Sequence, residues 1–333
     1  MRKSVTIVLL LSLLLFSACS KTVEPFRSQK LVLGTAVTIS IFDKGSLDDV
    51  NAELETVFNE MSVFDELWAA NGDDSDIKLL RENAGKVSQD LDPRTFKLLA
   101  DGVKLETETE GYFNLRMGPV TGLWGFHQQK RYVPSAQEIN DKIHLIEGGM
   151  FFAGNSCLLG IEGMSLDIGG IGKGFAVDLA VDQLINDGAK AGIVEAGGDL
   201  QVFGLPEPGK PWKIGIRHPR NLEEFYAVLE IESGAVATSG DYQQYFIAEG
   251  IRFHHIIDPA TGLPANKCVS ATVTAKSCIE ADAAATAVFV MGPEKGMAWL
   301  NEHQDYSGLI VYYDENDNLT HVYSPELKMS FNP

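Results

Sequence analysis

The apolar residues Val50, Leu54, Val57, Phe58, Met61 and Phe64 recur three or four positions apart, the spacing that places them on one face of a helix. Ser46 is the residue type that caps such a helix, and a polar loop from Asn71 to Ser75 lies beyond its end. The same period predicts a helix over 93–110, opened by Pro93, and another through Val177, Ala180, Val181, Leu184 and Ile185 that stops at Gly188. Further helices are expected over 280–291 and after Pro293. Short runs of β-branched and apolar residues between Gly and Pro turns predict strands at 31–42, 165–168, 192–196, 200–203, 212–217, 226–231 and 269–274. The runs at 307–313 and 319–323, around the polar Asp314 to Asp317, predict a hairpin. Residues 111–126 (GYFNLRMGPVTGLWGF) follow no period and read as a structured loop. Strands that follow one another, with helices inserted between groups, predict an α+β fold rather than a doubly wound sheet.

Hydropathy sets the N-terminus apart. Arg2 and Lys3 precede an apolar run from Val5 to Phe16, then small residues lead to Cys19. That is the pattern of a signal peptide, too short and one-sided for a permanent span. Leu15-Phe16-Ser17-Ala18-Cys19 resembles a bacterial lipobox, which implies that 1–18 is removed and Cys19 is lipidated. The alternative is a plain signal peptide with an incidental cysteine. Residues 19–29 then read as a polar tether and 30–333 as the working domain. The expectation is an exported lipoprotein on the inner (cytoplasmic) membrane, facing the periplasm or cell exterior.

A formal charge of −19 over 333 residues excludes nucleic acid as a partner, since nothing would offset phosphate repulsion. It leaves room for a nucleotide held by backbone N–H groups or by a metal ion. Three cysteines remain beyond Cys19, namely Cys157, Cys268 and Cys278; they cannot all pair, and their spacing fits no zinc motif. Buried thiols are expected, with one disulfide as the alternative.

The stretch DIGGIGKGFAVD, residues 167–178, is the strongest candidate for chemistry. A phosphate loop of the G-x-x-x-x-G-K-[ST] kind would need Gly at 167 and Ser or Thr at 174, where the chain has Asp167 and Gly174. A dinucleotide fingerprint would need Gly or Ala at 175 or 177, where Phe175 and Val177 stand. Both standard cradles are excluded. The glycines still bring backbone amides to a helix start, and missing Cβ atoms allow a ligand to come close. A tight helix–strand turn is the structural alternative. Lys173 could meet a phosphate or pair with an acid.

Other segments add donors. His255, in HHIIDPATG (254–262), is a candidate for proton transfer, with a core or surface histidine as the alternative; Asp258 begins a turn. Asp282 and Thr286 lie four apart on a predicted helix, so both oxygens share one face and suit a hard cation such as Mg2+. The alternative there is an acid stabilising a helix start. Residues 195–199 and 236–242 read as polar glycine turns.

Taken in order, LGT (33–35), GP…LWGF (118–126), DIGGIGKGFAVD (167–178), GGD (197–199), ATSGDY (237–242), HIIDPATG (255–262) and ADAAATA (281–287) resemble the ApbE family of FAD:protein FMN transferases. The likeness covers nearly the whole mature chain. It implies a T-fold-like α+β architecture, FAD as substrate and Mg2+ as cofactor. The implied reaction splits the FAD pyrophosphate, passing FMN through its phosphate to a Thr or Ser of an acceptor protein and releasing AMP. It implies FAD contacts at Leu33, Asn71, Tyr112, Phe113, Asn114, Asp167, Lys173 and Ile257. Metal contacts are implied at Gly170 (through its carbonyl), Asp282 and Thr286. His255 becomes the implied proton acceptor, so His255 and Asp282 form the catalytic pair. A subunit of a membrane redox pump facing the same compartment is the implied class of acceptor.

Three positions depart from the family pattern. Asn71 stands where an aromatic is common, Asn114 where many members carry Asp, and Ala285 where some carry a second acid. The first would open the flavin site to water, which makes FAD hydrolysis to FMN and AMP the alternative activity. The last would thin the metal ligation. A flavin-binding lipoprotein without turnover is the third reading, one that has no need of Asp282, Thr286 or His255.

Overall fold

Eight strands form one sheet whose spatial order is also their chain order, and every neighbouring pair is antiparallel. They are Phe26–Val32, Thr35–Asp43, Ala191–Ala196, Asp199–Phe203, Gly234–Gly240, Ser270–Ala275, Ser307–Tyr313 and Leu319–Tyr323. The computed structural model describes residues 24–332 except 70, 71, 73, 74 and 127–130. The signal peptide, Cys19, the start of the tether and Asn71 therefore lie outside the described residues.

Both faces of the sheet are covered. Helices Val50–Leu67, Gly172–Asn186, Cys278–Met291 and Pro293–Glu302 contribute to the main apolar core on one side, with Val37, Ile39, Ile41, Val194, Ala237 and Val273 from the strands. On the other side a three-stranded sheet of Trp212–Arg217, Phe225–Ile231 and Lys328–Phe331 packs on Leu200, Val202, Val236, Leu309 and Val311. Burial on two faces extends to the polar positions of the central strands, so Thr38, Ser40, Ser270 and Thr272 are buried together with their apolar neighbours. The Cys278–Met291 helix is buried almost all round, as its uniformly apolar sequence requires. Its alanines let neighbours approach closely, so Asp282 is carried into the interior and must find a partner there.

Several expectations change. The 31–42 strand is two strands joined at Leu33-Gly34, and the first begins at Phe26, inside the stretch read as a tether. Asp49 caps the first helix, accepting from the Asn51 and Ala52 amides, so Ser46 is not the cap. Residues 165–168 join no sheet; the Asp167 amide bonds to the Leu115 carbonyl instead, at 2.8 Å. Within 111–126 the chain forms a 3-10 turn at Leu115–Met117 and a helix at Gly118–Trp124, ended by Gly125 with φ +66°. Residues 236–240 belong to a central strand, Gly234–Gly240, rather than a turn. The cysteines Cys157, Cys268 and Cys278 are free and buried, as expected.

Candidate active site

The glycine stretch works first as a joint between helices. A Cβ at Gly174 would stand 2.5 Å from the Cys278 carbonyl oxygen, so the start of Gly172–Asn186 lies against the start of Cys278–Met291 at a distance only glycine permits. One turn later, the Asp178 carboxylate accepts from the Cys278 amide at 2.6 Å and the Ile279 amide at 2.9 Å. Burial nevertheless pushes Asp178 up to about 7, against the pull of those two amides.

This joint brings Lys173 to the acids. Its Nζ lies 2.6 Å from Asp199 Oδ2 and 3.4 Å from Asp282 Oδ2, and both carboxylates are nearly buried. Burial alone would lower the Lys173 pKa, but Asp199 and Asp282 together hold it above the ordinary range, so the ammonium is charged. One ammonium cannot neutralise two carboxylates. Burial raises the Asp282 pKa; Lys173 opposes the rise and Asp199 adds to it. The surplus negative charge at Asp282 calls for a proton or a cation.

Thr286 lies one turn beyond Asp282, with Oγ1 3.3 Å from Ser239 Oγ. A Cβ at Gly170 would stand 3.1 Å from Thr286 Oγ1 and 3.3 Å from the Phe113 ring, which sets the Gly170 backbone beside the hydroxyl. Asp167 Oδ1 accepts from the Gly169 amide at 2.9 Å and holds that turn. Among the described residues no three His, Cys, Asp or Glu side chains group to hold a metal ion. The oxygen set at Gly170, Asp282 and Thr286 contains a single acid, and so falls short of such a group.

The adjacent histidines divide their roles. His254 is buried and bonds to the Ala265 carbonyl, whereas His255 lines the cavity. His255 Nδ1 is buried without a hydrogen-bond partner among the described residues, and burial, then neighbouring His254, lowers the ring to about 4. His255 is therefore neutral near pH 7 and able to accept a proton.

Leu33, Tyr112, Phe113, Asn114, Asp167, Gly170, Lys173, His255, Ile257, Asp282 and Thr286 all line this one cavity. Every site residue named from the sequence that lies in the described chain is among them. Tyr112, Phe113, Met117, Phe126, Ile256 and Ile257 supply an apolar wall, and Asp167 to Lys173 with Asp199, Ser239 and Asp282 supply a polar floor. Asn114 also caps the Leu115–Met117 turn, accepting from the Arg116 amide at 2.8 Å. Ala285 is fully buried and does not line the cavity. Sequence reasoning missed Asp199 and Ser239, both inside motifs it had treated as turns, and Gln243 and Gln244 beside them.

The sequence model of the ApbE family matches residues 33–310. A FAD:protein FMN transferase from Vibrio cholerae is 33% identical over 325 residues, covering 93% of this chain and 94% of that protein. One from Treponema pallidum is 31% identical, covering 88% and 86%. Among solved structures, the ApbE protein of Thermotoga maritima superposes with a TM-score of 0.81 at 29% identity, covering 89% of this chain and 96% of that one. The flavin transferase ApbE of Vibrio cholerae gives 0.80 at 28% identity, covering 91% and 97%. Family match, relatives and architecture agree over nearly the whole length, and the chain belongs to the ApbE family.

Proposed function

We propose that the protein is an FAD:protein FMN transferase, an enzyme that moves FMN from FAD to a Thr or Ser hydroxyl of an acceptor protein. The observation that carries this reading is the single cavity that joins an apolar wall, a neutral histidine with an unused buried nitrogen, and an oxygen set carrying surplus negative charge. The acceptor oxygen bonds to the FMN-side phosphorus while the bond from that phosphorus to the bridging oxygen breaks. AMP leaves with the bridging oxygen, and the hydroxyl proton passes to His255. Tyr112, Phe113 and Ile257 hold the flat ring system and exclude water, and Asp167 offers an acceptor to FAD hydroxyl or base N–H groups.

The residues present fit Mg2+ by donor type: Asp282 shares one ammonium with Asp199 and so keeps surplus negative charge, and the Thr286 hydroxyl lies beside the Gly170 backbone. Gly170, Asp282 and Thr286 would hold it, with Lys173 keeping Asp199 and Asp282 in place. When bound, the ion would offset charge on the pyrophosphate oxygens. We also propose export and anchoring through Cys19 on the outer side of the cytoplasmic membrane, which the leader sequence supports, with a redox-pump subunit as the acceptor. Among the described residues no helix is long and apolar enough to cross a membrane.

The test is incubation of the soluble chain with FAD and Mg2+, with and without an acceptor carrying a flavinylation Thr. Covalent flavin fluorescence on the acceptor is the expected result. FMN and AMP appearing equally without flavinylation would instead mark a FAD pyrophosphatase, and unchanged FAD a carrier.

A further inference from the structure

His254 is buried to 5% exposure, lines no part of the cavity, and yet uses both ring nitrogens. Its Nε2 lies 2.6 Å from the Ala265 carbonyl oxygen, which can only accept, so Nε2 carries the proton. Its Nδ1 accepts from the Ile256 amide at 3.3 Å and therefore carries none. The Ala265 amide in turn donates to the Ile256 carbonyl at 3.0 Å. The three bonds close a circuit: His254 to Ala265, Ala265 to Ile256, and Ile256 back to His254.

The circuit grips the peptide that follows His255. The peptide before it is held as well, since the His255 amide donates to the Gln244 carbonyl at 3.1 Å. With the backbone fixed on both sides, the His255 side chain is left one direction of departure, into the cavity. The His254 ring also stands edge-on to Phe289, 5.4 Å between centroids, on the helix that carries Asp282 and Thr286. The one ring therefore touches the hairpin Tyr245–Ala248/Ile251–His254, the strap that returns at Ala265, and the helix bearing the oxygen set.

We propose that His254 is a positioning residue: through its neutral, Nε2-protonated ring it sets the place of His255 against the oxygens of Gly170, Asp282 and Thr286. This rests on His255 being the proton acceptor. Cooperative hydrogen bonds in a dry setting reinforce one another, so loss of either nitrogen loosens the whole strap.

Two substitutions separate the nitrogens. Asn places an oxygen near the Nδ1 position and keeps the Ile256 bond, whereas Gln places a donor near the Nε2 position and keeps the Ala265 bond. Measured as FMN transfer to a Thr acceptor, His254→Gln is expected to lower kcat by about 100-fold, the scale of a misplaced catalytic group. His254→Asn should lower it less, and both should keep the FAD Kd within about twofold, because neither touches the cavity. A 15N-histidine spectrum of the unsubstituted chain should show one neutral ring protonated at Nε2 that is missing from His254→Asn. His255→Ala tests the base separately. If it transfers FMN as well as the unsubstituted chain, the reading of His255 fails, and this proposal with it. If His255→Ala is inactive while His254→Gln keeps full kcat, the positioning role alone is refuted. An Nδ1-protonated or cationic His254, or equal loss of FAD binding and kcat in both variants, would overturn it as well.

Discussion

Gly174→Ala adds one methyl group where two helices cross. The new Cβ would meet the Cys278 carbonyl oxygen at 2.5 Å, its carbon at 2.7 Å and the Ile279 Cα at 2.8 Å, all of them backbone. Ordinary contact begins near 3.4 Å, so the start of the Cys278–Met291 helix must retreat by close to an ångström. No side chain can turn aside to spare it. Forcing a methyl into packed backbone costs about 1–3 kcal/mol. Replacing Gly by Ala in a helix returns up to about 1 kcal/mol, and less near a first turn. The net expectation is a loss of about 1–2 kcal/mol, a drop of a few degrees in the Tm of a chain this size. The effect on transfer should be larger than that on stability. Asp282 and Thr286 ride on the displaced helix while Gly170 and Lys173 stay behind, and a shift near 1 Å costs on the order of 100-fold in rate. Thermal denaturation of the apo chain and FMN transfer at saturating FAD measure the two effects. Gly122→Ala, in a helix where an added Cβ meets nothing within 4 Å among the described residues, is the control and should lose less stability than Gly174→Ala. A Gly174→Ala chain with unchanged Tm and unchanged transfer would refute the crossing and the account of how Asp282 is placed.

Lys173→Met should cost about 3 kcal/mol, because it leaves Asp199 and Asp282 buried together without a cation. Adding Asp199→Asn should restore part of that loss in urea unfolding, and a double variant no more stable than the single one would count against the shared pairing. His255 has its pKa depressed to about 4, so unfolding takes up a proton below the ordinary value near 6.5. Its contribution is present above that value and lost as pH falls. Between pH 7 and 5 the apo chain should lose about 2 kcal/mol more than His255→Gln does, and equal losses would contradict the buried neutral ring. Burial pushes Cys157 and Cys268 up to about 12 and Cys278 well above its ordinary value. A soluble chain starting at Ser20 should therefore show no thiol reactive to Ellman's reagent until unfolded, and then three.

The parts of the fold visible in the sequence were those with a strong period. The 50–67 helix and the strands at 192–203 and 307–323 declared themselves through apolar spacing, which long-range packing only reinforces. The failures have particular causes. Residues 165–168 have strand composition, but the Asp167 amide meets the Leu115 carbonyl instead of a neighbouring strand, a pairing no local pattern encodes. The Gly118–Trp124 helix contains Gly118 and Gly122, poor formers that tertiary contacts outweigh. Trp124 is fully buried among Val120, Phe126 and Ile139, and its indole N–H bonds to the Gly262 carbonyl at 3.0 Å. The hairpin turn at Leu33-Gly34 was hidden because Leu33 takes φ +54°, a conformation that Leu seldom adopts.

Part of the candidate site was legible in the residues themselves, since Lys173, His255, Asp282 and Thr286 stand out by type and spacing, whereas Leu33, Tyr112, Phe113, Asn114 and Ile257 came with the family resemblance. The pairing of Lys173 was not legible there. Asp199 reads as the end of a Gly-Gly turn, and only the sheet crossing brings it to Lys173. That pairing decides what the glycine stretch is. A phosphate cradle would leave its lysine free to meet the anion. Here Lys173 is already engaged by two acids, Gly174 admits the second helix, and Asp178 ties down that helix's first amides. Of its glycines Gly169 and Gly170 line the cavity, with Asp167 and Lys173 on either side. The stretch is thus two devices in succession, a short backbone rim for ligand and then a helix joint. Its conspicuous lysine stands where the two meet, lining the cavity while it pairs with Asp199 and Asp282, so a change at Lys173 or Gly174 bears directly on the place of Asp282.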